Sequence, residues 1–200
     1  MPTKQFAFET GGPIRLQLSW GPFRWSDVIV SLDGSNIGKC TYREFRAGLD
    51  FSLPDGSKLH ARYTMSGLDI RRDGQPLSGG ASDPAVMLRS AYLATLWVGG
   101  GNLFVGAISL LNEELRDAFG WPTLIVGAVF LALGTQIKRK SKGALLAALS
   151  VGWLLSIGLL LGLPQTLAGV PITAWVLYLL HRGLKGLREL ESKPSVSASL

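Results

Sequence analysis

The sequence predicts a membrane protein built from a small N-terminal all-β sandwich and a C-terminal bundle of four transmembrane α-helices. Charge is divided unevenly: residues 1–89 hold eleven Lys or Arg and nine Asp or Glu, whereas residues 90–180 are almost free of charge. The first part alternates short apolar runs with turn residues, and the second consists of long apolar runs separated by short polar clusters. This division is typical of a folded module attached to membrane-spanning segments.

Residues 1–80 carry the β signal. Alternating or β-rich runs are separated by Asp33-Gly34, Asp55-Gly56 and Asp73-Gly74, and Asp-Gly between such runs favours tight hairpins. We therefore predict an antiparallel cytoplasmic sandwich of seven or eight short strands and no helix, with a partly open barrel as the alternative. The runs are Ile14 to Trp20, Val28 to Leu32, Phe45 to Leu53, Lys58 to Met65 and Leu68 to Arg72.

Residues 81–89 are predicted to be the linker and the start of the first long helix. Pro76, Gly79 and Gly80 are loop residues, and Ser82 or Asp83 before Pro84 is a helix-start signal. The helix should therefore begin near Pro84.

Residues 90–182 are predicted to form the transmembrane domain, since about 20 apolar residues cross a bilayer. The four spans are expected at about 90–111, 121–137, 143–163 and 166–182. The last contains Pro171 and has a marginal apolar length, so a re-entrant segment stays open as an alternative. Residues 183–200 are predicted to be a basic amphipathic extension followed by a disordered tail.

Cations predict the orientation. Lys138, Arg139, Lys140 and Lys142 fall on the same side as residues 1–89 and the C-terminus if all four spans cross, and only Arg116 falls opposite. The positive-inside rule then predicts a multi-pass protein of the cell (inner or plasma) membrane with both termini cytoplasmic. The absence of a signal-like N-terminal run and the single cysteine, Cys40, agree with this orientation.

No Asp, Glu, Lys, Arg or His lies inside the apolar part of a predicted span, which in the fourth span is Leu167 to Leu180, and this argues against proton relays and voltage sensors. Small residues recur instead, and small residues allow helices to approach closely. We favour packing within one bundle over a dimer interface or a pore lining. The predicted packing residues are Gly99, Gly100, Gly101, Asn102, Gly106, Ala144, Ala148, Gly152 and Ser156. The connection from Asn112 to Gly120 should form a short helix capped by Asn112 and ended by Gly120.

One aromatic and basic cluster is a candidate partner or lipid surface, although core packing of its aromatic rings is the alternative. It consists of Trp20, Phe23, Arg24 and Trp25, together with Arg71 and Arg72. Catalysis is not indicated: His60 is isolated, Cys40 has no activating neighbour, and no metal, phosphate-loop or hydrolase motif is present. We predict no enzyme activity, no cofactor and no metal.

The runs VIVSLDGSNIGKCTYREF and GLDFSLPDGSKLHARYTMSGLDIRRDGQPL resemble the β-domains of the Fas apoptosis inhibitory molecule family. The resemblance covers residues 28–77 and rests on the order of strands and Asp-Gly turns. It implies a non-catalytic β-sandwich that binds proteins, and it transfers no site residues.

The function expected from the sequence is therefore a membrane-anchored, non-catalytic protein-binding or scaffolding module. Its expected partners are the lipid bilayer and a cytosolic or membrane protein; nucleic acid is not expected, and a homo-oligomer stays open. The alternative is a small oligomeric channel, transporter or lipid-handling protein, in which Gly101 and Asn102 would border the path.

Overall fold

A computed structural model describes residues 2–8, 12–21, 27–162 and 169–192. The chain divides into two compact units, Met1–Val86 and Met87–Leu200. Phe23, Arg24 and Trp25, the first residues of the predicted fourth span and the predicted tail lie outside the described residues.

The first unit contains two antiparallel sheets of four strands each, with every strand beside its neighbour in sequence. The first sheet comprises β1 Thr3–Ala7, β2 Ile14–Trp20, β3 Val28–Leu32 and β4 Ser35–Cys40. The second comprises β5 Leu49–Ser52, β6 Lys58–Thr64, β7 Gly67–Arg72 and β8 Gln75–Pro76. The predicted all-β part is confirmed, and these eight described strands match the upper predicted number.

Two of the Asp-Gly pairs form the predicted tight turns, because both of their residues adopt positive φ. Asp33 and Gly34 have φ of 50° and 82°, and Asp73 and Gly74 have φ of 48° and 80°. Two consecutive residues with positive φ give the turn whose twist matches paired strands. Asp55-Gly56 lies in a longer loop, where the Asp55 carboxylate accepts a hydrogen bond from the Ser57 amide at 3.0 Å.

A short helix, α1 Tyr42–Ala47, lies between the sheets in sequence, so the predicted strand from Phe45 is wrong at its beginning. The Thr41 side chain accepts from the Glu44 amide, and the Glu44 carboxylate accepts from the Thr41 amide at 2.8 Å. This reciprocal cap is the Thr-x-x-Glu signal of a helix start. The sequence contains this signal as TYRE, but it stands between β-rich runs, and these runs predicted a strand from Phe45 instead.

One core fills the first unit and is lined by both sheets and by Phe45 of α1. Its fully buried members include Phe6, Leu16, Leu59 and Ile70. Along β2, Leu16 lies between exposed neighbours, as one-sided burial of a sheet requires, whereas in β7 Ile70 follows the buried Asp69.

The second unit is helical. Its elements are α2 Pro84–Leu110, α3 Glu113–Leu115, α4 Trp121–Lys138, α5 Lys142–Gly162 and α6 Gly169–Ser192. The Asp83 carboxylate accepts from the Ala85 amide at 2.9 Å, which confirms the predicted start of α2. Asn112 caps α3 through the Glu114 amide at 3.0 Å. The π-helical turn Arg116–Gly120 ends at Gly120, which is also the N-cap of α4 with φ of −63° and ψ of −95°, so α4 follows without a loop.

Within the described residues, two helices, α2 and α4, are long and apolar enough to cross a membrane, rather than the four predicted. In α5 the described apolar stretch is Lys142–Ile157, which is shorter. In α6 the apolar first half continues without a break into a charged second half that contains Arg182, Lys185 and Arg188.

The second half of α6 packs differently from a helix lying on a lipid surface. Leu184 and Leu187 are buried, and Leu187 shares a core with Leu88 and Ala91 near the start of α2. The apolar side of the predicted extension is therefore covered by protein, and only its polar side is exposed.

Candidate functional site

Glycines on α2 and α4 bring these two helices into backbone contact. A Cβ atom at Gly99 would lie 3.0 Å from the Leu131 amide nitrogen, and one at Gly106 would lie 2.9 Å from that of Leu124. Across the contact, a Cβ atom at Gly127 would lie 2.8 Å from the Gly99 carbonyl oxygen. Such distances are too short for any side chain, so glycine is what allows this crossing.

The glycines of α4 were missed in the sequence analysis. Gly127 and Gly134 of α4, with Gly120 in the turn before it, recur at the same seven-residue interval that separates Gly99 from Gly106 on α2. Seven residues make nearly two helical turns, so each series lies along one side of its helix. That shared interval was the available signal.

A cleft of about 740 Å³ lies within the helical unit, between α2, α4, α5 and α6. The described residues that line it make an almost wholly apolar wall, and none of them is charged. Besides Gly101, Asn102 and Gly152, its lining includes Trp97, Val105, Phe119, Val126, Phe130, Leu155, Ile172 and Val176.

The polar side chains of the cleft are few. The Asn102 amide nitrogen donates to the Val98 carbonyl at 2.8 Å, so much of its polarity is met by its own helix. Thr123 and Thr173 also line the wall. A space of this volume and character is typical of sites for apolar small molecules or hydrocarbon chains.

Seven of the nine predicted packing residues fall into three groups. Gly99 and Gly106 hold the α2–α4 crossing, whereas Ala144 and Ala148 are buried in the core shared by α2, α4, α5 and α6. Gly101, Asn102 and Gly152 line the cleft. Gly100 faces open space, and the Ser156 hydroxyl donates to the Gly152 carbonyl at 2.7 Å.

The candidate surface of the β unit is only partly described. Trp20 is half-buried and packs against the core. Arg71 and Arg72 are consecutive in β7, so their side chains leave opposite faces of the sheet, and their contacts differ. Arg71 donates to Ser82 at 3.0 Å, whereas Arg72 donates to Ser57 at 3.0 Å and its guanidinium lies 4.7 Å from the Phe8 ring. The structure does not bring the two arginines together.

Asp69 forms a buried ionic network that the sequence did not suggest. Its carboxylate accepts from Arg62 at 3.0 Å, from Arg71 at 3.4 Å and, at short distance, from the Ser82 hydroxyl. Burial raises the pKa of Asp69, but the hydrogen bonds from Ser82 and Arg62 and the charge of Arg71 outweigh it, so the pKa lies below its ordinary value. The network joins β6 and β7 to the segment that precedes α2.

His60 and Cys40, the candidate catalytic residues, do not form a buried cluster. His60 and Asp50 pair at 2.8 Å, but their side chains are 36% and 73% exposed. Cys40 is buried with its thiol 3.8 Å from the Val28 carbonyl, and burial, followed by the charge of Glu44, raises the pKa of this thiol. Among the described residues no group of three or more His, Cys, Asp or Glu is placed to hold a metal ion.

The cations of the α4–α5 turn lie at a defined end of the helical unit. Ile137 and Leu145, which flank the turn, share a core with Leu88 near the start of α2 and Leu187 near the end of α6. Lys138, Arg139, Lys140 and Lys142 are exposed there. The opposite end carries Glu113, Glu114 and Arg116.

No protein-family model matches the chain, and comparisons with curated proteins and with solved structures gave no match. The resemblance to the Fas apoptosis inhibitory molecule family therefore stays a prediction. The class defined by the fold is a two-sheet antiparallel β unit joined to a helical unit in which two helices have membrane-spanning length and composition.

Proposed function

We propose that the chain is a multi-pass membrane protein whose four long helices cross the bilayer and whose β-sandwich is a non-catalytic binding module on the cytoplasmic side. The observation that carries this proposal is the outer surface of the helical unit. Large apolar side chains are exposed on all four long helices, among them Trp97, Ile125, Trp153 and Ile172 at 81%, 62%, 57% and 65%. Soluble proteins rarely expose so many large apolar side chains, whereas lipid accommodates them.

The distribution of charge supports the orientation. The start of α2, the α4–α5 turn and the end of α6 lie at one end of the helical unit, and the exposed lysines and arginines are concentrated there. The positive-inside rule assigns that end to the cytoplasm. Because the β-sandwich directly precedes α2 in the sequence, this orientation implies a cytoplasmic β-sandwich as well.

The helix lengths are compatible with four crossings. At 1.5 Å per residue, the 21 residues of α5 measure about 31 Å and the 24 residues of α6 about 36 Å, so both exceed the roughly 30 Å of a hydrocarbon core. The charged second half of α6 would extend past the hydrocarbon on the cytoplasmic side. Arg182 stacks 5.7 Å from the Tyr178 ring, an arrangement typical of side chains at the membrane interface.

The binding role proposed for the β-sandwich is supported by its surface residues and by its resemblance to protein-binding sandwiches. Several of its described ionisable residues form ion pairs, as in Arg15–Asp33 and Arg72–Asp55 at 2.5 Å each. The resemblance of residues 28–77 to a family of protein-binding sandwiches agrees with this role. Its partner is proposed to be a cytosolic or membrane protein.

Cysteine accessibility tests the orientation. Cys40 is buried, so the probe belongs at Met65, which is 90% exposed in the β6–β7 turn. In a Cys40→Ala background, Met65→Cys should resist an impermeant maleimide in intact cells and react after the membrane is opened. Leu111→Cys, 88% exposed at the opposite end of the helical unit, is the matched control and should react in intact cells. The reverse pattern would contradict the proposed orientation.

A second candidate function, lipid handling, is favoured by the cleft. A binding module needs no apolar space of about 740 Å³ inside its anchor. The cleft includes Gly101 and Asn102, the two residues that the sequence analysis named as discriminating a membrane path from simple packing.

A further inference from the structure

The cleft of the helical unit differs from an ordinary packing defect in its size and in its connection to the outer surface. Packing defects in helical cores are usually no larger than a few water molecules, whereas this space measures about 740 Å³. Several of its lining residues are also strongly exposed, including Trp97, Val105, Phe119 and Ile172 at 81%, 48%, 49% and 65%. The cleft is therefore continuous with the apolar outer surface of the helices.

We infer that this cleft holds one acyl chain of a bilayer phospholipid. The inference rests on the proposed membrane location, because phospholipid chains are the molecules that would surround such a surface. The lining favours hydrocarbon as the occupant, because its side chains are apolar apart from Asn102, Thr123 and Thr173.

The missing charge distinguishes a phospholipid chain from a free fatty acid. A carboxylate drawn into the cleft would find no cation among the lining residues, and an unpaired charge in an apolar site is costly. In a phospholipid the charges remain in the headgroup, outside the cleft, so only hydrocarbon needs to enter.

Two neighbouring glycines of α2 provide a matched test. A Cβ atom at Gly100 or at Gly101 would meet no other atom within 4 Å, so larger side chains fit at both positions without a clash at that atom. Only Gly101 lines the cleft. Gly101→Leu should therefore fill the cleft, and Gly100→Leu should leave it open.

The experiment uses the full chain in detergent micelles with a phosphatidylcholine that carries a diazirine in one acyl chain. Wild type and Gly100→Leu should be labelled saturably at cleft peptides, with competition by unlabelled phosphatidylcholine. Gly101→Leu should weaken this labelling by at least about tenfold, equivalent to about 1.4 kcal/mol of binding. Val126→Phe fills the cleft from α4 and serves if Gly101→Leu does not fold.

Equal saturable labelling in the cleft-filling and wild-type proteins would overturn the inference, as would labelling that never saturates. Stronger competition by palmitate than by phosphatidylcholine would also overturn it and would indicate a fatty acid instead. Alkaline carbonate extraction of native membranes separates this result from the proposed function. A chain that stays in the membrane fraction but shows no cleft labelling refutes the acyl-chain site alone, whereas a chain released by carbonate refutes the membrane proposal itself.

Discussion

Replacing Gly99 by alanine tests the contact between α2 and α4. The added Cβ atom would lie 2.9 Å from Leu131 Cγ and 3.0 Å from the Leu131 amide nitrogen. Favourable contacts between such atoms need about 3.5–4.0 Å, so the helices must move apart by roughly 0.5–1 Å. The leucine side chain can rotate away, but the backbone nitrogen cannot.

The expected cost follows from two opposing effects. Overpacking a close contact destabilises by about 1–3 kcal/mol. Alanine gains at most about 1 kcal/mol of helix propensity over glycine, and less if the unfolded reference state in micelles is already helical. Gly99→Ala should therefore lower the free energy of unfolding by about 1–2 kcal/mol.

Gly100→Ala is the matched control, because its Cβ atom would meet nothing within 4 Å. It should leave the free energy of unfolding unchanged or raise it by up to about 1 kcal/mol. Gly127→Ala, whose Cβ atom would lie 2.8 Å from the Gly99 carbonyl oxygen, should resemble Gly99→Ala.

The assay is titration of the purified chain from mild detergent into SDS, with helix content and tryptophan fluorescence as readouts. The two clashing variants should unfold at a lower SDS fraction than wild type, and Gly100→Ala should not. Equal midpoints for Gly99→Ala and Gly100→Ala would show that α2 and α4 do not approach as closely as the structure places them.

Three further predictions concern the β unit. Asp69→Asn removes the partner of Arg62 and Arg71 and should cost about 1–3 kcal/mol at neutral pH by thermal unfolding, whereas the exposed Asp33→Asn should change stability little. Because the pKa of Asp69 is depressed in the folded state, its contribution to stability is fully present above its unfolded pKa of about 3.9 and is lost as pH falls through the folded pKa. The difference in stability between wild type and Asp69→Asn should therefore shrink in acid. A difference that stays constant with pH would contradict the network. Gly34→Ala places a side chain at φ +82° and should cost about 1–2 kcal/mol in the same assay, with an unchanged midpoint arguing against the turn. Native Cys40 should resist a small disulfide reagent until the chain is unfolded, because its thiol is buried and its pKa is raised; rapid reaction of the folded chain would refute this burial.

Local sequence patterns determined much of this protein. Asp33-Gly34 and Asp73-Gly74 specify their turns because the conformation is a property of the two residues themselves. The start of α2 at Pro84, with Asp83 as its cap, is equally local. The division into a β part and an apolar helical part follows from composition, because a surface exposed to water and a surface exposed to lipid require different residues.

Distant contacts were decided only by the tertiary structure. Asp69 became a network centre because β6, β7 and the segment containing Ser82 meet there, and no spacing in the sequence links these residues. Arg71 and Arg72 looked like one basic pair but leave opposite faces of β7. Likewise, the sequence does not distinguish Gly99, Gly100 and Gly101. In the structure Gly99 contacts backbone of α4, Gly100 faces open space and Gly101 borders the cleft, because the neighbouring helices cover only part of the surface of α2.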